Sequence, residues 1–290
     1  RNAISQGSVD TTVGIHVQVP ENGEAQATLW VVCASDYEAA KGFNQRVWET
    51  GPDRLIARTE AYWKLWSRKE PINTAPLTEP VRDLYYRSQL ILRTQIDNGG
   101  AIIAANDTDI THFAGDHYSY CWMRDGALVA HSLVLACQSE LSRNFFRYAA
   151  DCIGDKPYFL HKYTPEGDLA SSWHPWMIDG KPVLPIQQDE TALTLWALRQ
   201  HFNEFRDVEF IKPLYSKLVL RPAKWMLEHR DHNGLPLQSW DLWEERRGPR
   251  TSARVPSGCA ARCVVTSGTK TAGTLLAWVS PSTTGHTVST

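Results

Sequence analysis

Two segments of the chain, 121–138 and 187–205, carry apolar residues around most of a helical circumference. A helix of that kind must be buried on nearly all sides, because apolar surface left in water is unfavourable. The two segments therefore predict a mostly α-helical protein in which helices pack against further helices. The longest apolar stretch, 126–137, is too short to cross a bilayer, which needs about 20 residues. We expect no membrane partner.

The spacing of apolar residues predicts five helices between Pro80 and Asp231. They span roughly 80–97, 121–138, 141–153, 187–205 and 208–230. Long connections rich in Trp, Tyr, His and Asp separate them, at 99–120, 155–186 and 231–248. Loops of this length in a compact domain usually carry function, so the functional residues are expected there.

The first 35 residues have a different pattern. Val13, Ile15, Val17 and Val19 alternate with polar residues, as in a half-buried strand, and a turn leads into a second strand-like run. Residues 1–35 therefore predict a β-hairpin, and because an isolated hairpin is only marginally stable, we expect it to be the end of a larger β-domain. The following segment, 36–78, has helical spacing and predicts a linker between two domains.

Charge and cysteine usage exclude several classes of protein. The formal net charge is −2 and no run of basic residues occurs, which argues against nucleic acid as a partner. The six cysteines are scattered without paired spacing and sit among apolar or small residues, which favours free thiols, a reducing interior and a cytoplasmic location. No loop of the calcium-binding type occurs, so we nominate no metal ligand, although the sequence leaves calcium binding open, and we expect no cofactor.

The segment 249–290 contains no acidic residue and has no sustained periodicity. One interpretation is a natural linker rich in Ser and Thr, and the other is translation in a wrong reading frame. We expect a tail that is unrelated to the preceding domain and is either frame-shifted or disordered.

Three loop segments, 116–125, 171–190 and 240–246, combine aromatic side chains with charged and polar ones. A sugar needs both kinds of contact, because its apolar face stacks on Trp or Tyr while its hydroxyls bond to Asp, Glu and Arg. The segments therefore predict a sugar-binding site. The alternative is that the tryptophans of these segments pack in the core and contact no ligand. They are Trp122, Trp173 and Trp243.

Adjacent carboxyls at Glu244 and Glu245 cannot both face one ligand from a regular helix or strand, so only one can be a general acid. Apolar neighbours such as Trp243 raise the pKa of a carboxyl, as a general acid requires. The alternative is a solvated charged face. Arg124 and Asp125 fit either a clamp on sugar hydroxyls or a charge arrangement at a helix N-terminus.

Four motifs together resemble glycoside hydrolase family 15, the glucoamylase and glucodextranase group, in its prokaryotic form. They are Tyr118-x-Tyr-x-Trp122-x-Arg124-Asp125, LASSWHPW, LPIQQDETALTLWAL and the DLWEER of 241–246. The resemblance implies a β-sandwich that ends with the hairpin of 1–35, a helical linker, and a partial (α/α)6 barrel whose first half spans 79–248. It also implies inverting hydrolysis that releases β-glucose from non-reducing ends of α-glucans or oligosaccharides.

The same resemblance assigns roles by position. Glu244 matches the general acid, and Trp243 and Glu245 match its substrate-contacting neighbours. The remaining positions match substrate-binding residues: Arg124 and Asp125 as the hydroxyl clamp, Tyr118 and Trp122 as aromatic walls, and Trp173, Gln187 and Asp189 as further contacts.

One departure from the family pattern concerns the general base, a second carboxylate that activates water in an inverting enzyme. The family has it in the later half of the barrel, yet no acidic residue follows Glu245. We therefore expect a truncated, inactive and poorly folding piece, for which no base can be nominated. The alternative is a non-catalytic carbohydrate-binding or regulatory relative. The sequence leaves open the glucosidic linkage and the oligomeric state.

Overall fold

The protein is mostly α-helical, as predicted. The computed structural model describes residues 12–106, 118–237 and 239–240. The acid-free segment and the predicted site residues Trp243, Glu244 and Glu245 lie outside the described residues. The chain divides into two compact units, Arg1–Trp66 and Ser67–Thr290, which are treated separately below.

The first unit contains two helices, α1 (Tyr37–Thr50) and α2 (Pro52–Trp66). Asp36 caps the first, because its carboxylate accepts a hydrogen bond from the backbone N–H of Ala39 at 2.9 Å. Gly51 ends α1 with a φ of 81°, a conformation that glycine adopts without strain. A proline then opens α2, where its missing N–H is harmless.

Residues 12–35 correct the predicted hairpin, because the described chain forms no strand there. The turn itself is present: the N–H of Gly23 donates to the carbonyl of Pro20 at 3.0 Å. The apolar side chains that were expected to face a sheet are exposed, with Val13 at 73% and Val31 at 82%. The physical reason is that an isolated pair of short strands gains little from pairing, so alternation alone does not ensure that a hairpin forms. Whether this segment ends a β-sandwich stays a prediction.

The second unit contains all five helices predicted between Pro80 and Asp231. They are α3 (Glu79–Thr94), α4 (Met123–Leu135), α5 (Ser139–Ile153), α6 (Gln188–Phe205) and a last helical stretch made of α7 (Val208–Leu214), a π-helical segment (Tyr215–Leu220) and α8 (Arg221–Glu228). Pro213 and Pro222 explain the change of helix type, because neither has an N–H for the regular ladder.

The loop that precedes α6 contains a small hairpin. Strand β1 (Met177–Ile178) pairs antiparallel with β2 (Lys181–Pro182), with Met177 opposite Pro182. Asp179 and Gly180 connect the strands with φ values of 49° and 73°.

Helices α4 and α6 run parallel, side by side. Their first turns are joined by a hydrogen bond from Met123 to Glu190, and their middles by a ring contact between His131 and Trp196, whose centroids are 4.4 Å apart. Helix α5 runs in the opposite direction, since Ser142 near its start lies 2.9 Å from His201 near the end of α6. This up, down, up order is the arrangement that a partial (α/α)6 barrel requires.

The core lies where α4, α5 and α6 meet. Its fully buried members are mostly small residues on α4 and large ones on α5: Ala127, Ala130, Leu133, Phe145, Phe146, Ala149, Ile153, Ala197 and Leu198. Gly126 on α4 lies directly against the ring of Phe145, where a β-carbon would overlap the ring. The close approach of α4 and α5 therefore depends on glycine at this position.

We expect Gly126→Ala to destabilise the protein by about 1–3 kcal/mol, because the added methyl group forces the Phe145 ring out of a packed core. The measurement is the urea unfolding midpoint. Ser132→Ala, an exposed change on the same helix, is the control and should stay within about 0.5 kcal/mol. A Gly126→Ala protein as stable as the parent would contradict this packing.

Candidate functional site

The first turns of α4 and α6 are joined by a buried carboxyl. Oε2 of Glu190 accepts a hydrogen bond from the backbone N–H of Met123, the first residue of α4, at 3.0 Å. Trp122, which precedes it, offers no side-chain cap. Because the first N–H groups of a helix have no partner within the helix, Glu190 supplies from α6 the acceptor that α4 needs.

Arg124 connects the same two helix ends through its guanidinium. Its Nη1 donates to Oε1 of Gln187 and to Oδ2 of Asp189, both at 3.0 Å. Oδ2 of Asp125 lies 3.7 Å from its Nε. The structure thus brings the two predicted clamp residues, Arg124 and Asp125, together with two of the predicted further contacts, Gln187 and Asp189, although more than 60 residues of sequence separate the two pairs. Their role as a clamp stays a prediction.

The carboxyls around Arg124 differ in exposure and in pKa. Burial raises the pKa of Glu190 well above its ordinary value, and the attraction of Arg124, 3.9 Å away, does not offset it. Burial also raises the pKa of Asp125 against the opposing effect of Arg124. Burial disfavours the charge on Arg124 itself, but Asp189 and Glu190 outweigh it, and the pKa rises.

Exposure then separates the groups that a ligand can reach from those it cannot. The side chain of Asp125 is 45% exposed, whereas that of Glu190 is 1% exposed. Gln187 is buried as well. The accessible polar surface of the site therefore consists of Arg124, Asp125 and Asp189. Glu190 and Gln187 lie beneath this surface and contact it.

An aromatic cluster adjoins Arg124 at the start of α4. The ring centroids of Tyr118, Trp122 and Trp173 lie within 5.4–5.7 Å of one another. Trp122 is only 2% exposed, as the alternative of a core aromatic requires. It forms the floor of the cluster. Tyr118, which is 50% exposed, and the half-buried Trp173 present the surface that a ligand could reach.

Lys162 belongs to this cluster and was not predicted. Its Nζ lies 4.1 Å from the ring centre of Trp173, 4.5 Å from that of Tyr120 and 5.3 Å from that of Trp122. A cation close to aromatic rings is attracted to their negative faces. Its position follows from two backbone hydrogen bonds between Cys121 and Tyr163, which no periodic pattern in the sequence could have revealed.

Two buried histidines complete the surroundings of Trp122. His161 lies behind the Trp122 and Trp173 rings, and His174 lies 4.5 Å from His161 between centroids. His174 stacks in turn on Trp240, at 4.4 Å and nearly parallel. Trp240 is hydrogen-bonded to the loop that precedes α6, since its backbone N–H donates to the carbonyl of Ile186 at 3.2 Å.

The described part of the chain contains no cluster of three or more His, Cys, Asp or Glu residues able to hold a metal ion. Its cysteines are free thiols, at positions 33, 121, 137 and 152. No helix among the described residues has the length and apolarity needed to span a membrane.

Comparison with protein families settles the classification. The model of the family described as glycosyl hydrolases family 15 matches residues 79–274. The chain belongs to glycoside hydrolase family 15. The match begins with α3, includes every residue of the site and extends past 248 into the acid-free segment.

A comparison with solved structures gives a glucoamylase from Saccharomycopsis fibuligera, with a TM-score of 0.42 and 17% sequence identity. The aligned region covers 56% of this chain and 38% of that glucoamylase. The chain thus spans well under half the length of this structural relative. No curated protein sequence matches the chain.

We expect the buried carboxyl of Glu190 to be replaceable by an amide but not by a methyl group. Glu190→Gln keeps an acceptor for the Met123 N–H, whereas Glu190→Ala leaves that group unpaired and should cost about 1–3 kcal/mol of unfolding free energy. Urea unfolding at pH 5 and pH 8 tests both changes.

The raised pKa of Glu190 determines how the stability of the protein changes with pH. At a pH between the ordinary pKa of 4.5 and the raised folded-state pKa, the Glu190 carboxyl keeps its proton in the folded protein and loses it on unfolding. Its contribution to stability therefore falls as pH rises through the window between 4.5 and the raised folded-state pKa. The unfolding free energy of Glu190→Gln should therefore rise relative to that of the parent between pH 5 and pH 8. A difference that stays the same at both pH values would contradict a raised pKa at Glu190.

Proposed function

We propose that this chain provides the terminal-glucose subsite and the general acid for inverting hydrolysis of α-glucosidic bonds. The substrate would be the non-reducing end of an α-glucan or an α-gluco-oligosaccharide, and the product would be β-glucose. The observation that carries the proposal is the family match over residues 79–274, which includes the whole polar and aromatic cluster at the start of α4 and α6.

The polar groups support recognition of sugar hydroxyls. Arg124 is fixed by Gln187 and Asp189, so its remaining donors are oriented before a ligand arrives. Asp125 supplies exposed acceptor oxygens next to it. A donor and an acceptor side by side match adjacent hydroxyls of one pyranose ring, each of which can donate and accept.

The aromatic groups support recognition of the sugar ring. Tyr118 and Trp173 meet edge to face, at 81° between ring planes, and both retain accessible surface. Exposed aromatic faces bury the apolar side of a pyranose. In this proposal Trp122 acts from beneath, by fixing the two rings that contact the sugar.

Glu244 is the proposed general acid, because of its position in the DLWEER motif of the family. Leu242 and Trp243 precede it in the sequence, and apolar neighbours raise the pKa of a carboxyl toward the range in which it can protonate a leaving oxygen. Trp243 and Glu245 are proposed substrate contacts.

The second candidate function is carbohydrate binding without hydrolysis, which the lack of an acidic side chain in residues 246–290 favours. Inversion needs a second carboxyl about 6.5–9.5 Å from the first. A relative that keeps the glucose subsite without this base would bind carbohydrate and not hydrolyse it.

The decisive change is Glu244→Gln, which removes the proton but keeps the shape of the side chain. In a protein whose barrel is complete and supplies the general base, we expect turnover of maltotriose to fall by about 10²–10⁴-fold while maltotriose binding is retained, because general acid catalysis contributes a factor of that order. Initial-rate assays and isothermal titration calorimetry measure the two effects. Glu209→Gln, on an exposed side chain of α7, is the matched control.

The product of the parent protein tests the stereochemistry in the same experiment. Proton NMR during the first turnovers should detect β-glucose before mutarotation. Release of α-glucose, or full turnover by Glu244→Gln, would reject the proposed mechanism. Binding of maltotriose without hydrolysis by the parent protein would favour the carbohydrate-binding alternative.

A further inference from the structure

His161 makes contact with both large rings of the aromatic cluster. Its Nε2 accepts a hydrogen bond from the indole Nε1–H of Trp122 at 3.2 Å, across 39 residues of sequence. Its Nδ1 lies 3.4 Å from Oγ of Ser172, the residue before Trp173. One imidazole thus connects the residue that opens α4 to the loop that carries the second tryptophan.

The hydrogen bond from Trp122 favours one tautomer of His161. An indole N–H can only donate, so in this hydrogen bond Nε2 is the acceptor and Nδ1 carries the proton. Nδ1 then donates to the Ser172 hydroxyl, which in turn accepts from the backbone N–H of His174 at 3.0 Å. The backbone N–H of Trp173 also faces Nδ1, at 3.4 Å, so N–H donors point at both ring nitrogens. We assign the proton to Nδ1 because the contact of the Trp122 indole with Nε2, at 3.2 Å, is the shorter one.

The surroundings keep this imidazole neutral. Burial, with the nearby His174, Lys162 and Arg124, lowers the pKa of His161 to about 3. Both histidines are almost fully buried, at 1% and 2% exposure. Water therefore has little access to replace the imidazole, and loss of His161 would leave the Trp122 N–H unpaired.

We propose that His161 is a positioning residue that sets the orientation of Trp122 relative to Trp173, and through these rings the orientation of the sugar-stacking surface. It acts through the two tryptophans and does not itself touch the sugar. The effect on ligand binding rests on the proposed function. The orientation itself is a property of the ligand-free protein.

The test compares two replacements of His161 that differ in hydrogen bonding. His161→Gln retains an acceptor for Trp122 and a donor for Ser172, whereas His161→Leu retains neither. Trp122→Phe removes the same hydrogen bond from its other end. His131→Leu is the matched control, because His131 also packs against a tryptophan but lies in the middle of α4.

Nitrogen-15 NMR of the ligand-free protein tests the orientation without any sugar. We expect the Nδ1–H tautomer at His161 and slow hydrogen exchange at the Trp122 indole. The slow exchange should be lost in His161→Leu and kept in His161→Gln and His131→Leu. An Nε2–H tautomer, or an indole that exchanges rapidly in the parent protein, would overturn the proposal.

Maltotriose titration tests the consequence for binding. We expect His161→Leu and Trp122→Phe each to weaken binding by about tenfold, the double variant to be no weaker than either, and His161→Gln to stay near the parent. Parental affinity in His161→Leu, or additive losses in the double variant, would overturn the proposal. If His161→Leu does not fold, Trp122→Phe and His161→Gln give the same comparison.

The two readouts keep the two proposals distinguishable. A parent protein that does not bind maltotriose would contradict the proposed function, while the NMR result would still decide whether His161 orients Trp122. A parent that binds maltotriose with equal affinity in all variants would leave the function standing and reject His161 as a positioning residue.

Discussion

The hydrogen bond between Glu190 and the first N–H of α4 is the interaction on which the site depends. Two parallel helices with adjacent N-termini place two partial positive charges side by side. Asp125 and Asp189 lie in those first turns together with Glu190, and their carboxyls surround a single arginine, Arg124. Asp125 and Asp189 therefore suit the helix ends and also lie where a ligand could reach them, whereas the buried Glu190 supports them from beneath.

This arrangement explains why the exposed part of the site can be rigid. Arg124 has two hydrogen-bond acceptors within the protein, Gln187 and Asp189, so its guanidinium is already ordered before a ligand binds. Beneath it, burial raises the pKa of Glu190 well above its ordinary value, which favours the uncharged carboxyl in the core. A site prepared in this way loses less conformational entropy when it binds.

The aromatic part has the same layered construction. Trp122 is a floor, and Tyr118 and Trp173 lie above it with accessible surface. His161 and Lys162 contact this floor from adjacent positions of one loop. In the proposed site the buried layer would set where the exposed rings lie, so a residue without contact to the sugar would still affect its binding.

The sequence predicted the helices of the second unit because apolar periodicity is a local signal. It failed for the described part of the predicted hairpin, residues 12–35, because alternation alone does not show whether two strands pair. Arg124 and Asp189 were found through motifs, but their contact depends on the parallel packing of α4 and α6. No local pattern marks His161 or Lys162, because loop packing alone brings them to Trp122.

Burial was the property hardest to predict from residue type. Trp122 and Glu190 both occur in motifs that suggest ligand contact, yet both are almost fully buried. The reason is that exposure depends on which loops cover a helix end. A charged or aromatic residue in a functional motif can therefore support the site from below.

A crystal structure of the protein with bound maltotriose tests the central claim most directly. The account predicts the terminal glucose at the joined ends of α4 and α6, with its hydroxyls on Arg124 and Asp125 and its ring against Tyr118 or Trp173. A sugar bound elsewhere, with the Arg124 cluster unoccupied, would contradict the claim that these helix ends form the glucose subsite.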